Sequence, residues 1–184
     1  MIQYCKRCCL PSTKPHLSFD EAGICNACRN YENRKNVDWS ERKKELMEIL
    51  ERYRSKDGSN WDCIIPVSGG KDSTYQVITM LELGMNPLCV TATTCDLTDI
   101  GRRNIENIKK MGVDYIEITT NRVVRAKLNR IGLTEVGDIS WPEHVSIFTV
   151  PVRMAVNFNI PLIIWGENSQ ISCIFQYLLR FRGL

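Results

Sequence analysis

Apolar and polar positions change rhythm twice along this chain. Residues 1–35 show almost no apolar periodicity. From Asp38 a helical rhythm begins, with Leu46, Ile49, Leu50 and Tyr53 sharing one face. Asp38 followed by Glu41 reads as a capping box, with Ser40 as an alternative cap. Lys56-Asp57-Gly58-Ser59-Asn60 stops that helix. Residues 38–57 therefore read as a helical connector or, equally, as the packed first helix of the domain that follows.

From Asp62 onward strand-like and helix-like patterns alternate. Cys63-Ile64-Ile65-Pro66-Val67 is a short apolar run that leads into a glycine loop. Residues 74–83 follow a helical pattern that Gly84 ends. A second strand at 88–94 precedes a second helix at 102–111, and a third strand at 114–119 precedes a helix at 122–131. Residues 146–158 predict a helix kinked or split at Pro151. Leu162-Ile163-Ile164-Trp165 predicts a fourth strand. This order argues for an α/β domain with a parallel sheet and helices on both faces. The continuous apolar character of the first and fourth strands fits burial from both sides.

Composition narrows the picture. At about 150 residues per domain, a chain of 184 allows one domain and a small appendage. With 43% apolar and 24% charged residues, the bulk is not intrinsically disordered. A net charge of +3 is too small to argue nucleic-acid binding by itself. No apolar stretch follows Met1 as a signal peptide requires, and no run approaches the ~18 residues of a membrane helix. The expectation is a cytoplasmic protein without membrane insertion. Nine cysteines in a reducing compartment point to metal or thiol chemistry more than to disulfides.

Five of those cysteines fall within residues 1–35, too short a segment to build its own core, which a metal would staple. Cys5-x2-Cys8 and Cys25-x2-Cys28 have the spacing of two zinc knuckles. Four thiolates close a tetrahedron and leave no open position, so the zinc would be structural. Cys9 could replace Cys8, His16 is a weaker alternative ligand, and an iron–sulfur cluster is a further option for the same four thiolates.

Ser68-Gly69-Gly70-Lys71-Asp72-Ser73 lies between a strand and a helix, where a phosphate site belongs. Glycines let backbone N–H groups close on an anion. Lys71 adds a full charge, and Ser68 and Ser73 add hydroxyl donors. Asp72 suits Mg²⁺ or the orientation of a donor. The loop is too short for the GxxxxGK[ST] arrangement of P-loop NTPases.

This hexapeptide resembles the PP-loop of the ATP pyrophosphatases with an adenine-nucleotide α-hydrolase fold. The resemblance implies ATP cleavage between the α and β phosphates, with Ser68 to Ser73 binding ATP, and Lys71 and Asp72 catalytic. Cys5-x2-Cys8, Pro11, Phe19-Asp20-Glu21-x-Gly23-x-Cys25-Asn26-x-Cys28, Pro151-x-Arg153 and Trp165-Gly166-Glu167-Asn168 are similar to one branch. That branch is the N-acetyl sugar amidotransferases of pseudaminic acid and O-antigen biosynthesis. The resemblance covers residues 1 to about 170. It implies adenylation of the N-acetyl group of a nucleotide-linked sugar and displacement of AMP by ammonia, giving an acetamidino sugar for lipopolysaccharide O-antigen or flagellin glycan. Glutaminase and cyclase-like partner subunits would supply the ammonia. Only His16 and His144 exist as bases for a glutaminase of the chain's own. Glu167, at the end of the fourth strand, is a candidate metal or substrate contact.

On this reading the domains are a zinc-binding module at 1–35, a helical connector at 36–60, an ATP-binding α/β domain at 61–170 and an aberrant tail at 171–184. The tail departs from the branch, whose members are longer, and so predicts a C-terminally truncated chain. Two other readings stand beside this one. The first is a tRNA-thiolating PP-loop sulfurtransferase, favoured by a local charge of +5 from Arg102, Arg103, Lys109, Lys110, Arg122, Arg125, Lys127 and Arg130 against Glu106, Asp114 and Glu117. Against it, no CxxC pair follows Asp62, though Cys95 could be a lone sulfur carrier. The second is an inactive nucleotide-binding remnant.

Overall fold

The computed structural model describes residues 1–94 and 97–166. The chain divides into two compact units, Met1–Glu48 and Ile49–Leu184. The division falls inside a helix.

The first unit has little regular structure because its sequence offers no apolar stripe. Two isolated antiparallel bridges, Tyr4 with Pro11 and Phe19 with Cys25, pin its loops. Cys5, Cys25 and Cys28 are buried, with Leu10, Leu17, Phe19 and Ile24 packed around them. Helix α1 (Asn26–Asn33) starts directly after Cys25 and was not foreseen from apolar spacing. Asp20 closes the turn before it by accepting from the Ile24 N–H at 2.8 Å, and Arg29 lies 3.0 Å from the same carboxylate. That N–H and then Arg29 hold the Asp20 carboxyl below its usual value.

Helix α2 (Trp39–Tyr53) begins as its sequence predicts. The Asp38 carboxylate accepts from the Ser40 and Glu41 N–H groups at 2.9 and 3.1 Å. Glu41 does not complete the capping box; it pairs with Lys44 at 3.2 Å. The helix ends four residues earlier than the sequence suggests. The Ser55 N–H would donate to the carbonyl four residues back, but it donates to buried Asp62 at 2.5 Å. Arg54 is recruited to the Leu83 and Gly84 carbonyls.

In the second unit strands β1 (Cys63–Pro66), β2 (Pro87–Thr93) and β3 (Asp114–Thr119) form a parallel sheet in the order β1-β2-β3. Helix α3 (Lys71–Glu82) connects β1 to β2, and α4 (Asp99–Lys109) connects β2 to β3. Helix α5 (Arg122–Ile131), a π turn (Gly132–Val136) and α6 (Trp141–Asn157) follow. Successive side chains alternate between sheet faces. Ile64, Leu88, Val90 and Ile116 meet Val150, Met154 and Ala155 of α6 on one face. The other face meets α4, where Lys109 lies over the Tyr115 ring at 5.1 Å and Arg102 pairs with Glu117. Helices thus cover both faces, as the alternating pattern requires. Among the described residues no helix is long and apolar enough to cross a membrane.

Two expectations need correction. The fourth strand is a single parallel bridge, Ile64 with Ile163. Ile64 donates to Leu162 and accepts from Ile164, both at 2.9 Å. The next rung would need an N–H at residue 66, which is proline, so the ladder stops. Nor does Pro151 split its helix; α6 runs through it, with Pro151 buried, and starts earlier, at Trp141-Pro142, where proline is tolerated.

Asp62 also accepts from the Asn86 N–H at 2.7 Å, tying the start of β1 to the start of β2. Asp62→Ala leaves two backbone donors of the buried edge without a partner. Urea unfolding should show a loss of about 3 kcal/mol. A loss below about 0.5 kcal/mol would mean that water replaces the carboxylate there.

Candidate phosphate-binding loop and cysteine centre

The four knuckle cysteines converge. The Sγ atoms of Cys5, Cys8, Cys25 and Cys28 lie within 4.8 Å of one another. Cys5 and Cys28 are 4.0 Å apart, and Cys8 and Cys25 are 3.5 Å apart. A tetrahedral ion with Zn–S bonds of ~2.3 Å places its sulfurs ~3.8 Å apart, so the set fits one zinc. Backbone N–H groups point at the sulfurs, as from Arg7 and Cys25 to Cys5 at 3.4 and 3.3 Å. These N–H groups, that of Cys8 first, lower the Cys5 thiol to about 6. Crowding raises Cys28 to about 12, through Cys8 first. A divalent cation would relieve that crowding by holding all four as thiolates. Cys9 and His16 are exposed and stand outside the cluster, which Cys8 joins.

In the second unit the glycine loop begins where the sheet lets go of β1. Val67 is fixed from both sides: its N–H donates to Val90 at 2.9 Å, and its carbonyl accepts from the Thr91 hydroxyl. Ser68 follows. Gly69 then takes φ +76°, the left-handed region, and lies tight against α4. A Cβ there would meet Ile105 Cγ1 at 3.2 Å and the Gly101 carbonyl at 3.3 Å, so glycine is required for both reasons. Gly70 is extended and caps α3. Its carbonyl accepts from the Ser73 and Thr74 hydroxyls at 3.2 and 2.9 Å. Helix α3 therefore starts at Lys71, three residues before the sequence-predicted start, and its first N–H groups are free of intrahelical partners.

Lys71 and Asp72 project from this first turn, 2.9 Å apart and 89% and 78% exposed. Neither is committed to the fold, so both can turn to an incoming group. Ser73 is turned inward, its Oγ 3.4 Å from the Ser68 N–H. It shapes the loop from behind. The arrangement presents backbone N–H groups, a helix N-terminus and the exposed ammonium of Lys71, which is the chemistry of an anion cradle.

Sequence reasoning missed the layer behind the loop. Asn104 of α4 donates to the Gly69 carbonyl at 3.0 Å. Thr91 reaches the Tyr115 hydroxyl, and burial pushes that phenol up to about 12. Thr93 donates to Glu117 at 2.7 Å, and Arg102 reaches both Glu117 oxygens at 3.0 and 2.8 Å. Those two partners, Thr93 first, hold the Glu117 carboxyl below its usual value. No local pattern announces such contacts, because each joins residues far apart in sequence.

The basic stripe is partly engaged. Arg102 serves Glu117, Lys109 pairs with Glu106 at 2.7 Å, and Arg125 donates to the Thr93 carbonyl at 3.3 Å. Cys63 and Cys89 lie buried in the sheet, and burial pushes both thiols up to about 12, so neither is a nucleophile. Cys95, Asp96, Glu167 and the tail from residue 171 lie outside the described residues.

Comparison with known proteins fits this architecture. No protein-family profile matches the chain. An uncharacterized protein of Methanocaldococcus jannaschii is 31% identical over 124 residues, covering 62% of this chain and 44% of that protein. The NMN synthetase of Francisella tularensis superposes with a TM-score of 0.52 at 15% identity, over 72% of this chain and 56% of that one. The NH3-dependent NAD synthetase of Campylobacter jejuni, in complex with a nitrate ion, gives 0.53 at 14%, over 72% and 58%. The chain shares the α/β fold of these two synthetases, a parallel sheet with helices on both faces. It spans less than half the length of the curated relative and little more than half of these structures.

Metal analysis should find one Zn²⁺ per chain. Cys28→Ser should lose it and Cys9→Ser should keep it. Retention in Cys28→Ser, with loss in Cys9→Ser, would reverse the ligand assignment.

Proposed function

We propose that this chain is an ATP-dependent, AMP- and pyrophosphate-forming amidotransferase. One observation supports ATP chemistry most directly. The strand, glycine loop and helix start form an anion cradle with exposed Lys71, in a fold shared with an ammonia-dependent synthetase. The sequence resemblance of the cysteine module and of Pro151-x-Arg153 adds the narrower reading, an N-acetyl sugar on a nucleotide carrier.

On this reading the loop N–H groups and Lys71 hold the phosphates of ATP and stabilise charge that develops on them. Asp72 would hold Mg²⁺, which supplies a further positive charge to the phosphate oxygens when bound. The acetamido oxygen attacks the α-phosphorus, and the bond to the β-phosphate oxygen breaks as pyrophosphate leaves. Ammonia then adds to the imidate carbon. The carbon–oxygen bond to AMP breaks and a proton is lost, which leaves the acetamidino group. An amide is a poor electrophile toward ammonia, and adenylation removes that obstacle. The protein's work is therefore positioning and charge stabilisation.

Glutaminase and cyclase-like partner subunits would deliver the ammonia. The cysteine centre, with its four ligands closed around one ion, would serve structure and not catalysis. Cys63 and Cys89 are buried and so unsuited to carry sulfur to tRNA, while Cys95, the carrier that reading names, lies outside the described residues.

The test is AMP release from ATP with ammonium present. Acetamido sugar nucleotides should stimulate it at least about tenfold over the chain alone. Stimulation by tRNA instead would favour sulfur transfer. Release of ADP in place of AMP would rule out both readings.

A further inference from the structure

We propose that Asn104 is a positioning residue that locks the peptide between Gly69 and Gly70 with its N–H available to phosphate. The inference rests on the phosphate-binding reading of the loop and names the residue that makes the loop competent.

Glycine brings a weakness to such a loop. Two adjacent glycines let the backbone approach an anion, and Gly69 needs φ +76° besides. The peptide between them is then flanked on both sides by residues of wide conformational freedom. Such a peptide can rotate at little cost, exchanging the places of its N–H and its carbonyl. One orientation presents a donor to an anion and the other presents an acceptor that repels it. A cradle built on glycines therefore needs an external clamp on this peptide.

Asn104 supplies it. Its side-chain amide donates to the Gly69 carbonyl at 3.0 Å from the middle of α4. In a planar trans peptide the carbonyl and the following N–H point in opposite directions. With the Gly69 carbonyl held toward α4, the Gly70 N–H points away from it. Its nearest partner is Ser68 Oγ at 3.4 Å, a long contact that an anion can displace. Helix α4 backs the same peptide with Ile105 and the Gly101 carbonyl, so the clamp sits on a packed surface. Ile105 is itself fully buried. The helix is anchored in turn at its start, where Thr98 accepts from the Gly101 N–H at 3.1 Å.

Asn104→Asp is the sharpest substitution. It keeps the size of the side chain and replaces the donor with a negative acceptor. A carboxylate there repels the Gly69 carbonyl and favours the rotated peptide, whose N–H it can bind. Asn104→Ala only removes the clamp.

The experiment titrates the full chain with inorganic pyrophosphate in Mg²⁺ by calorimetry, with adenosine as the uncharged comparison and thermal unfolding as a check. The wild type should bind pyrophosphate. Asn104→Ala should weaken it about fivefold, and Asn104→Asp about thirtyfold or more, with adenosine affinity unchanged in both. Equal pyrophosphate affinity in the wild type and Asn104→Ala overturns the clamp, even where Asn104→Asp fails to fold. Equal weakening of adenosine overturns it too, because that marks a general structural role. A wild type that binds no pyrophosphate overturns the phosphate reading of the loop itself.

Discussion

The pairing of Val67 with β2 sets everything that follows in the second unit. Its N–H and its carbonyl are both taken, by Val90 and Thr91. The strand therefore ends at one defined residue, and Ser68 is the first whose backbone is released from the sheet. The turn into α3 then has only three residues, Ser68, Gly69 and Gly70, before the helix starts at Lys71. A slip of one residue in the β1–β2 register would move Val67 to the other face and carry the glycines with it. Asp62 fixes that register at the opposite end by joining the Ser55 and Asn86 N–H groups.

Parts of this were legible in the sequence because their signals are local. The apolar run 63–67, the glycine pair and the helix after it are contiguous, and together they placed the loop. The paired cysteines marked the four sulfurs that converge, and only the choice between Cys8 and Cys9 needed three dimensions. Local signals failed where a distant residue decided the outcome. Asp62 shortens α2 from seven residues away. Pro66 stops the ladder that Leu162 to Trp165 would otherwise extend, although nothing within that run shows it. Asn104 reaches the loop from α4 and Thr91 holds Val67 from β2, and neither stands out in a helix or strand read alone. The sequence also started α4 late, at Arg102, and so left out Gly101, whose carbonyl touches the loop.

The two units solve stability differently. The first has few apolar residues to bury, and its interior is largely the cysteines themselves. Among the described residues their sulfurs face one another and backbone N–H groups, and an ion held there would supply the cohesion that a core supplies elsewhere. The second unit buries Ile64, Leu88 and Val90 between the sheet and α6, and needs no ion to hold its sheet. Chemistry can therefore reside at the carboxyl end of β1, where folds of this type leave a crevice.

Binding of Mg²⁺-ATP to the 184-residue chain, measured beside Lys71→Ala, tests the central claim most directly. The expected result is saturable binding by the wild type, and an affinity lower by about ten- to a hundredfold once the exposed ammonium is removed. A folded wild-type chain that binds no ATP, or a Lys71→Ala variant that binds it equally well, would contradict the assignment of this loop to the phosphates.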